Sequence, residues 1–413
     1  MELKQEKEIF KPLVDELLKL AALPKETTKK ELWAGHQALK PAGKTPVSVY
    51  YEGIPSTQWE LMLGKNCLKA ASKLAQDIEF DLRKRLWMAK NVPDDHIVWP
   101  LIQVNAPVSK SFDWGVPLKW IGDDNPEHAK QIDPPFKEGF ANEKIKFTDV
   151  LIDDKKTADL VTRAKELTDG KLTVSVQYKN MGYSPFDFAV EFRGLETLLY
   201  DVIDTPEKVH ELMTLITDAL LVHHKNREEK GWIKAPSMDN KYLAFGWRVH
   251  ASYLREGYDK NNLKLADEWA YVSAQTASGL GPDMYAEFVH PYNEKLAALF
   301  TGKTVYYHGC EPLDQKASVI KTLSNLRRFH ISPWSDVKSI REETKDAFVY
   351  EVHDHPGKVF FGMSKDDIKR SIKKLVDAAK GSIFDLNLSD IHNVNGNPNV
   401  LKEWAEAAQE VMQ

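Results

Sequence analysis

Short runs of β-branched and aromatic residues recur along the chain, and each is followed by a stretch whose apolar positions return with helical spacing. Eight such runs stand out, at 46–52, 96–104, 172–178, 242–247, 304–308, 326–331, 347–352 and 382–388. Between them lie amphipathic stretches at 56–89, 205–231, 283–300 and 364–379, with Thr205 ahead of Pro206 and Ser364 ahead of Asp366 placed as helix N-caps. Strands that are short, apolar and alternate with helices predict an α/β fold with a parallel sheet, and eight of them predict a closed (β/α)8 TIM barrel rather than an open doubly wound sheet. Residues 1–413 read as one such domain, with 1–45 as an N-terminal helical extension. The segment 105–170 is too long for an ordinary connection, carries Trp114, Trp120, Pro126, Pro134 and Pro135, and reads as a lid-like insertion after strand two.

Composition narrows the picture. The 413 residues are 42% hydrophobic and 28% charged, which is enough apolar material for a large core, and the net charge of -5 comes without a basic run. No nucleic-acid partner is expected. The first twenty residues mix charge with helical-period apolar positions instead of forming a signal-peptide core, and no apolar run reaches membrane-spanning length. With two cysteines, Cys67 and Cys310, there is no disulfide framework, and a cytoplasmic protein without membrane contacts is the expectation. Cys67, beside Leu68 in a helical stretch, reads as core.

In barrels of this kind the chemistry gathers at the C-terminal ends of the strands, and here those ends are polar. Strand one ends at Tyr51-Glu52-Gly53, strand two at Asn105 and strand five at Tyr307-His308-Gly309-Cys310-Glu311. Strand six ends at Pro333-Trp334-Ser335-Asp336, strand seven at Glu351-Val352-His353-Asp354-His355, and strand eight at Ser389-Asp390-Ile391-His392. An imidazole and a thiol one residue apart can face one ion, so His308 and Cys310 are candidate zinc ligands, with His392, Glu311, Asp390 or Glu351 as a third donor. The competing reading is a hydrogen-bonded core histidine beside a small buried cysteine. Glu52, Glu311 and Asp336 are candidate acids, although a carboxylate at a strand end also serves as a helix cap. Trp334, Tyr307, Asn105 and His353 are placed as substrate-contacting residues. His353 and His355 would share a face only in an extended segment, and Pro356 favours a turn.

The run Tyr306-Tyr307-His308-Gly309-Cys310-Glu311-Pro312-Leu313, followed by Ile331-Ser332-Pro333-Trp334-Ser335-Asp336 and Leu388-Ser389-Asp390-Ile391-His392-Asn393-Val394, resembles the uroporphyrinogen decarboxylase superfamily. Tyr51-Glu52-Gly53-Ile54-Pro55 and Glu79-Phe80-Asp81-Leu82-Arg83 add to the likeness, which is strongest from Ala274 onward and is nearest to the decarboxylase-like, corrinoid-dependent methyltransferase branch. Porphyrinogen decarboxylases carry an arginine-rich segment after the first strand; here that place reads Glu52-Gly53-Ile54-Pro55, which argues against a porphyrinogen substrate. The superfamily's coenzyme M methyltransferases bind zinc through His-x-Cys and a distant cysteine. His308 and Cys310 match the pair, the distant cysteine is missing, and His392 or a carboxylate would take its place.

The resemblance implies a methyltransferase, or demethylase, that moves a methyl group from a small O-, N- or S-methylated substrate to a corrinoid. Because the chain has no corrinoid-binding Asp-x-His-x-x-Gly segment, the corrinoid would sit on a partner protein. The superfamily likeness also implies a homodimer. The alternative is a decarboxylase of a small cyclic or aromatic acid, which would need an arginine such as Arg193 or Arg248 at the mouth.

Overall fold

The computed structural model describes residues 3–41, 43–51, 53–123, 130–234, 257–259 and 261–412. Among the described residues there are eight short parallel strands: β1 (Val47–Val49), β2 (Leu101–Asn105), β3 (Thr173–Gln177), β4 (Ala270–Ser273), β5 (Val305–His308), β6 (Leu326–Ile331), β7 (Val349–His353) and β8 (Ile383–Leu388). Six of them form one parallel sheet in the order β1-β8-β7-β6-β5-β4, while β2 and β3 form a separate parallel pair. The edge strands of the larger sheet both reach towards that pair. The N–H of Asp95, ahead of β2, donates to the Val47 carbonyl of β1 at 2.8 Å, and Tyr183, after β3, bridges Val272 of β4.

Seven of the eight predicted strands have a counterpart. The run at 242–247 lies outside the described residues, as does Arg248, and among the described residues the strand before β5 is Ala270–Ser273. With four residues, two of them small, Ala-Tyr-Val-Ser carries too little apolar periodicity to be picked out of the sequence.

The strands of the larger sheet are buried on both faces, yet only one face is apolar. Val305, Tyr307, Phe329, Ile331, Tyr350, Val352, Phe384, Leu386 and Leu388 join the main hydrophobic core against the helices. The alternate residues Tyr306, His308, Arg328, His330, Glu351, His353, Asp385 and Asn387 point the other way, and all are 0–2% exposed. A polar face so thoroughly buried must satisfy its own hydrogen bonds, and the candidate site follows from that demand.

The amphipathic stretch 56–89 is two helices, Ser56–Leu63 and Lys73–Asn91, because Gly64 (φ 84°) and Asn66 (φ 58°) turn the backbone left-handed between them. Cys67 therefore sits half-buried in a connection and not on a helix. Ser364 and Asp367 cap their helix reciprocally, as a capping box. Thr205 precedes its helix as expected, but its hydroxyl donates to Asp201 instead of accepting from the helix backbone.

At the N-terminus two helices, Leu3–Ala21 and Pro24–Gln37, precede β1. Phe10, Val14 and Leu17 of the first pack with Ile78, Leu82, Val104 and Leu172 in a second core around the β2–β3 pair. Within 105–170, short antiparallel ribbons form from Val108–Lys110 with Leu151–Ile152 and from Lys119–Ile121 with Gln131–Asp133. Trp114 anchors this excursion among Phe147, Phe188 and Phe192. Its last stretch is the helix Asp154–Leu167, which links β2 to β3 across the second core. Among the described residues no helix is long and apolar enough to cross a membrane.

The helix Pro206–Glu229 is fixed to the segment ahead of β4 and to the segment after β3. Arg227 forms a double hydrogen bond with Glu268 at 2.7 and 2.9 Å, and His224 stacks on Tyr183 with ring centres 4.2 Å apart while bonding the Gly182 carbonyl. Burial, then the charges of Arg227 and His223, hold the His224 imidazole well below its ordinary 6.5. The folded state keeps it neutral while the unfolded chain takes up a proton below about pH 6.5, so stability is lost as the pH falls from there towards the folded value. The urea midpoint of the wild type is expected to drop between about pH 7 and about pH 5, and that of His224→Gln to drop less. Equal drops in the two proteins would refute the assignment.

Candidate active site

The base of the site is Arg328 of β6. Its guanidinium donates from Nε to Glu351 Oε2 on β7 at 2.7 Å, and from Nη1 and Nη2 to the two oxygens of Asp385 on β8 at 2.6 Å each. His36 and the Asn387 amide also reach Asp385, at 2.9 and 2.7 Å. These groups are fully buried, so the carboxylates keep their charge only because the guanidinium does. Burial works to raise the Glu351 carboxyl; Arg328, followed by hydrogen bonds from His330 and His353, holds it well below the usual range.

One layer towards the strand ends lies a row of imidazoles. The ring centres of His308 and His330 are 4.2 Å apart, and those of His330 and His353 are 4.3 Å apart. Tyr306 connects them to the base: its hydroxyl lies 2.9 Å from Glu351 Oε1, 2.9 Å from His308 Nδ1 and 3.1 Å from His330 Nδ1. An ionised carboxylate only accepts, so Tyr306 donates to Glu351 and its oxygen accepts from the imidazoles. His308 therefore carries its proton on Nδ1. The lone pair on Nε2 faces Cys310, whose Sγ is 3.2 Å away, and the thiol donates to it.

Glu311 follows directly. Both its oxygens are buried without a hydrogen-bond partner among the described residues, and a Cβ on Gly309 would come within 2.7 Å of Oε2, so only glycine leaves room for the carboxyl group. Burial pushes this carboxyl up to about 7, partly offset by its own backbone N–H and by the charge of Lys316. Lys316 donates to the Ala277 carbonyl at 2.7 Å and lies over the ring of Tyr285.

The other predicted positions are dispersed. Tyr307 is on the opposite face of β5, where its hydroxyl bonds Tyr285 at 2.7 Å in the layer between sheet and helices. Alternation puts Tyr306, not Tyr307, inside. Asp336 is exposed and caps the helix Val337–Thr344 by accepting the Ser339 N–H at 2.6 Å, as the cap reading expects. Trp334 is 61% exposed and meets His355 edge-on. Asn105 is exposed at the end of β2, and His392 is exposed between the buried Ile391 and Val394. His353 is inside, while His355 turns out to cap the helix Pro356–Phe361. Glu52 lies outside the described residues. Arg193, the arginine considered for a decarboxylase, is bound to Asp201 and to the carbonyls of Phe136 and Lys137.

His308 and Cys310 would supply an imidazole nitrogen and a thiolate to zinc, but these are two donors where a catalytic zinc takes three. Sequence reasoning passed over Arg328, His330 and Tyr306, although the signal was there: Leu326–Ile331 carries Arg328 and His330 two apart, interleaved with the apolar Phe329 and Ile331.

No known protein-family profile matches the chain, and no curated protein does. Among solved structures, one described as a methyltransferase from Methanosarcina mazei superposes with a TM-score of 0.51 at 12% identity, covering 92% of this chain and 98% of that one. At that identity the likeness is one of fold.

Replacing Arg328 by methionine leaves two buried carboxylates without their cation. Arg328→Met is expected to cost about 3–5 kcal/mol of stability, read from urea unfolding. A loss below about 1 kcal/mol would mean that the cluster is hydrated and not sealed.

Proposed function

We propose that this chain is a methyltransferase that passes a methyl group from a small O-, N- or S-methylated substrate to a corrinoid carried by a partner protein. The scaffold would be one (β/α)8 barrel, of the kind found in the uroporphyrinogen decarboxylase superfamily. Closure is supported by the two edge contacts, Asp95 to Val47 and Tyr183 to Val272, and by the burial of a polar sheet face that needs a cover. Methyl transfer is supported by the motif likeness around Cys310 and by the fold shared with the Methanosarcina mazei methyltransferase. The observation that carries the reading is the thiol–imidazole pair, Cys310 Sγ to His308 Nε2 at 3.2 Å, at the C-terminal end of β5.

The pair offers acid assistance. As the methyl group leaves its heteroatom for the corrinoid, the heteroatom gains electron density and needs a proton. The proton shared by Sγ and Nε2 is held at the strand end by the chain Glu351–Tyr306–His308, which keeps His308 in the tautomer that accepts from the thiol. Glu311, buried and raised to about 7, stands one residue away as a second proton source. The barrel mouth would admit the substrate and present the methyl group in line with the docked corrinoid.

The test incubates the full chain with cob(I)alamin and a panel of O-, N- and S-methyl donors, following methylcobalamin by absorbance. Wild type is expected to methylate the corrinoid with at least one donor class, and Cys310→Ser to be slower by about 10²- to 10⁴-fold at unchanged circular dichroism. Turnover by Cys310→Ser at the wild-type rate would remove the pair from the mechanism. No transfer from any donor class would sink the methyltransferase reading.

A further inference from the structure

The structure assigns a buried divalent-metal site, which we propose as new, to His330, Glu351 and His353, with the ring of His330 4.2 Å from that of His308. It stands independently of the methyl-transfer reading. One donor atom from each of the three lies within 4.8 Å of the other two, and all three side chains are buried. Two imidazoles and one carboxylate are the donor set of a zinc or iron(II) class ion, and nitrogen donors of this kind disfavour magnesium and calcium.

Three features separate this cluster from an ordinary buried ion pair. The donors come from the centre of the parallel sheet, where His330 and Glu351 are register partners on adjacent strands, so the backbone fixes them before any ion arrives. Second, His353 Nε2 and Glu351 Oε1 are 2.7 Å apart. Ligands at about 2.0–2.2 Å from one ion sit about 3.0–3.4 Å from each other, so an ion can replace the shared proton with a sub-ångström spreading of the two groups. Third, two of the donors have another polar atom anchored by a neighbour: His353 Nδ1 meets the Ser389 hydroxyl at 2.9 Å, and Glu351 Oε2 accepts from Arg328 Nε at 2.7 Å. His330 turns Nδ1 towards both Glu351 Oε1, at 3.3 Å, and the Tyr306 hydroxyl, at 3.1 Å. That outer ring of hydrogen bonds is what orients metal ligands and fixes their tautomers, and an ion pair alone does not call for it.

The site also has a route to the strand ends. The Tyr306 hydroxyl touches Glu351 Oε1, His330 Nδ1 and His308 Nδ1, so a cation at the cluster would be felt at His308 and through it at Cys310. Tyr306 is thus a positioning residue between the two layers.

The test uses tag-free full-length protein stripped by chelator and titrated with cobalt(II), read by metal content and by absorption. Wild type is expected to take up one cobalt per chain, with visible ligand-field bands and no near-ultraviolet thiolate charge-transfer band. His353→Asn and His330→Asn, which keep an N–H donor near the Nδ1 position, are each expected to weaken binding by at least about 100-fold. Cys310→Ser should bind within about threefold of wild type. A thiolate charge-transfer band that disappears in Cys310→Ser would place the ion at the His308–Cys310 pair and overturn the assignment, and so would failure of stripped wild type to bind cobalt or zinc at millimolar concentration. The wild-type spectrum decides the point even if a histidine variant does not fold. Because none of these readouts involves methyl transfer, a negative cobalamin assay leaves the result intact, and the reverse also holds.

Discussion

The Arg328 guanidinium shared between Glu351 and Asp385 is the interaction on which the rest of the interior depends. Three charges are taken out of water together, at a desolvation cost of several kcal/mol per ion, and the arrangement is tolerable only because each carboxylate is bonded to the guanidinium. Glu351 is therefore ionised, and an ionised Glu351 dictates the direction of the Tyr306 hydrogen bond. That direction in turn fixes the proton of His308 on Nδ1 and leaves Nε2 to face Cys310. A cluster of three charges near the middle of the strands thus decides the chemistry at their ends.

The same logic explains why the sheet is polar on one face. Parallel strands buried on both sides are usually apolar throughout. Here the outward residues of β5 to β8 form the hydrophobic core with the helices, which supplies the stability, and the inward residues are left to carry function. The inward set is organised in layers: Arg328, Asp385 and Glu351 at the base, His308, His330 and His353 above them, and Cys310 and Glu311 at the rim. A substrate at the rim meets groups whose protonation was set two layers below. Glu311 fits the same pattern, since the absence of a side chain on Gly309 lets its carboxyl group tuck into an apolar corner that keeps it partly protonated near neutral pH.

What could be read from the chain alone was local. The alternation of short apolar runs with amphipathic stretches located seven of the parallel strands, because strand and helix periods differ and survive in the linear pattern. Capping chemistry located Ser364 at the start of its helix, and His308 with Cys310 stood out because two donor types one residue apart are uncommon in a strand end. Where local signals conflicted, the chain gave less: Gly64 and Asn66 divide a stretch that looks like one long helix, and Ala270–Ser273 is too short and small to declare itself.

The partners of those residues were decided only by the fold. Period-two alternation in a strand says that two side chains share a face, but not which face is inside, so Tyr306 and Tyr307 are indistinguishable in sequence and opposite in role. Asp336 and His392 carry the right functional groups at strand ends, yet one caps a helix and the other stays in solvent. His330 lies on one strand and Glu351 and His353 on the next, with the helix Val337–Thr344 between them along the chain, and their convergence depends on sheet register, a long-range property set by the packing of the outer face. The sequence by itself determined the elements and the thiol–imidazole pair, because those rest on neighbours along the chain. The tertiary structure decided which charges meet, because burial and pairing are properties of strands brought side by side.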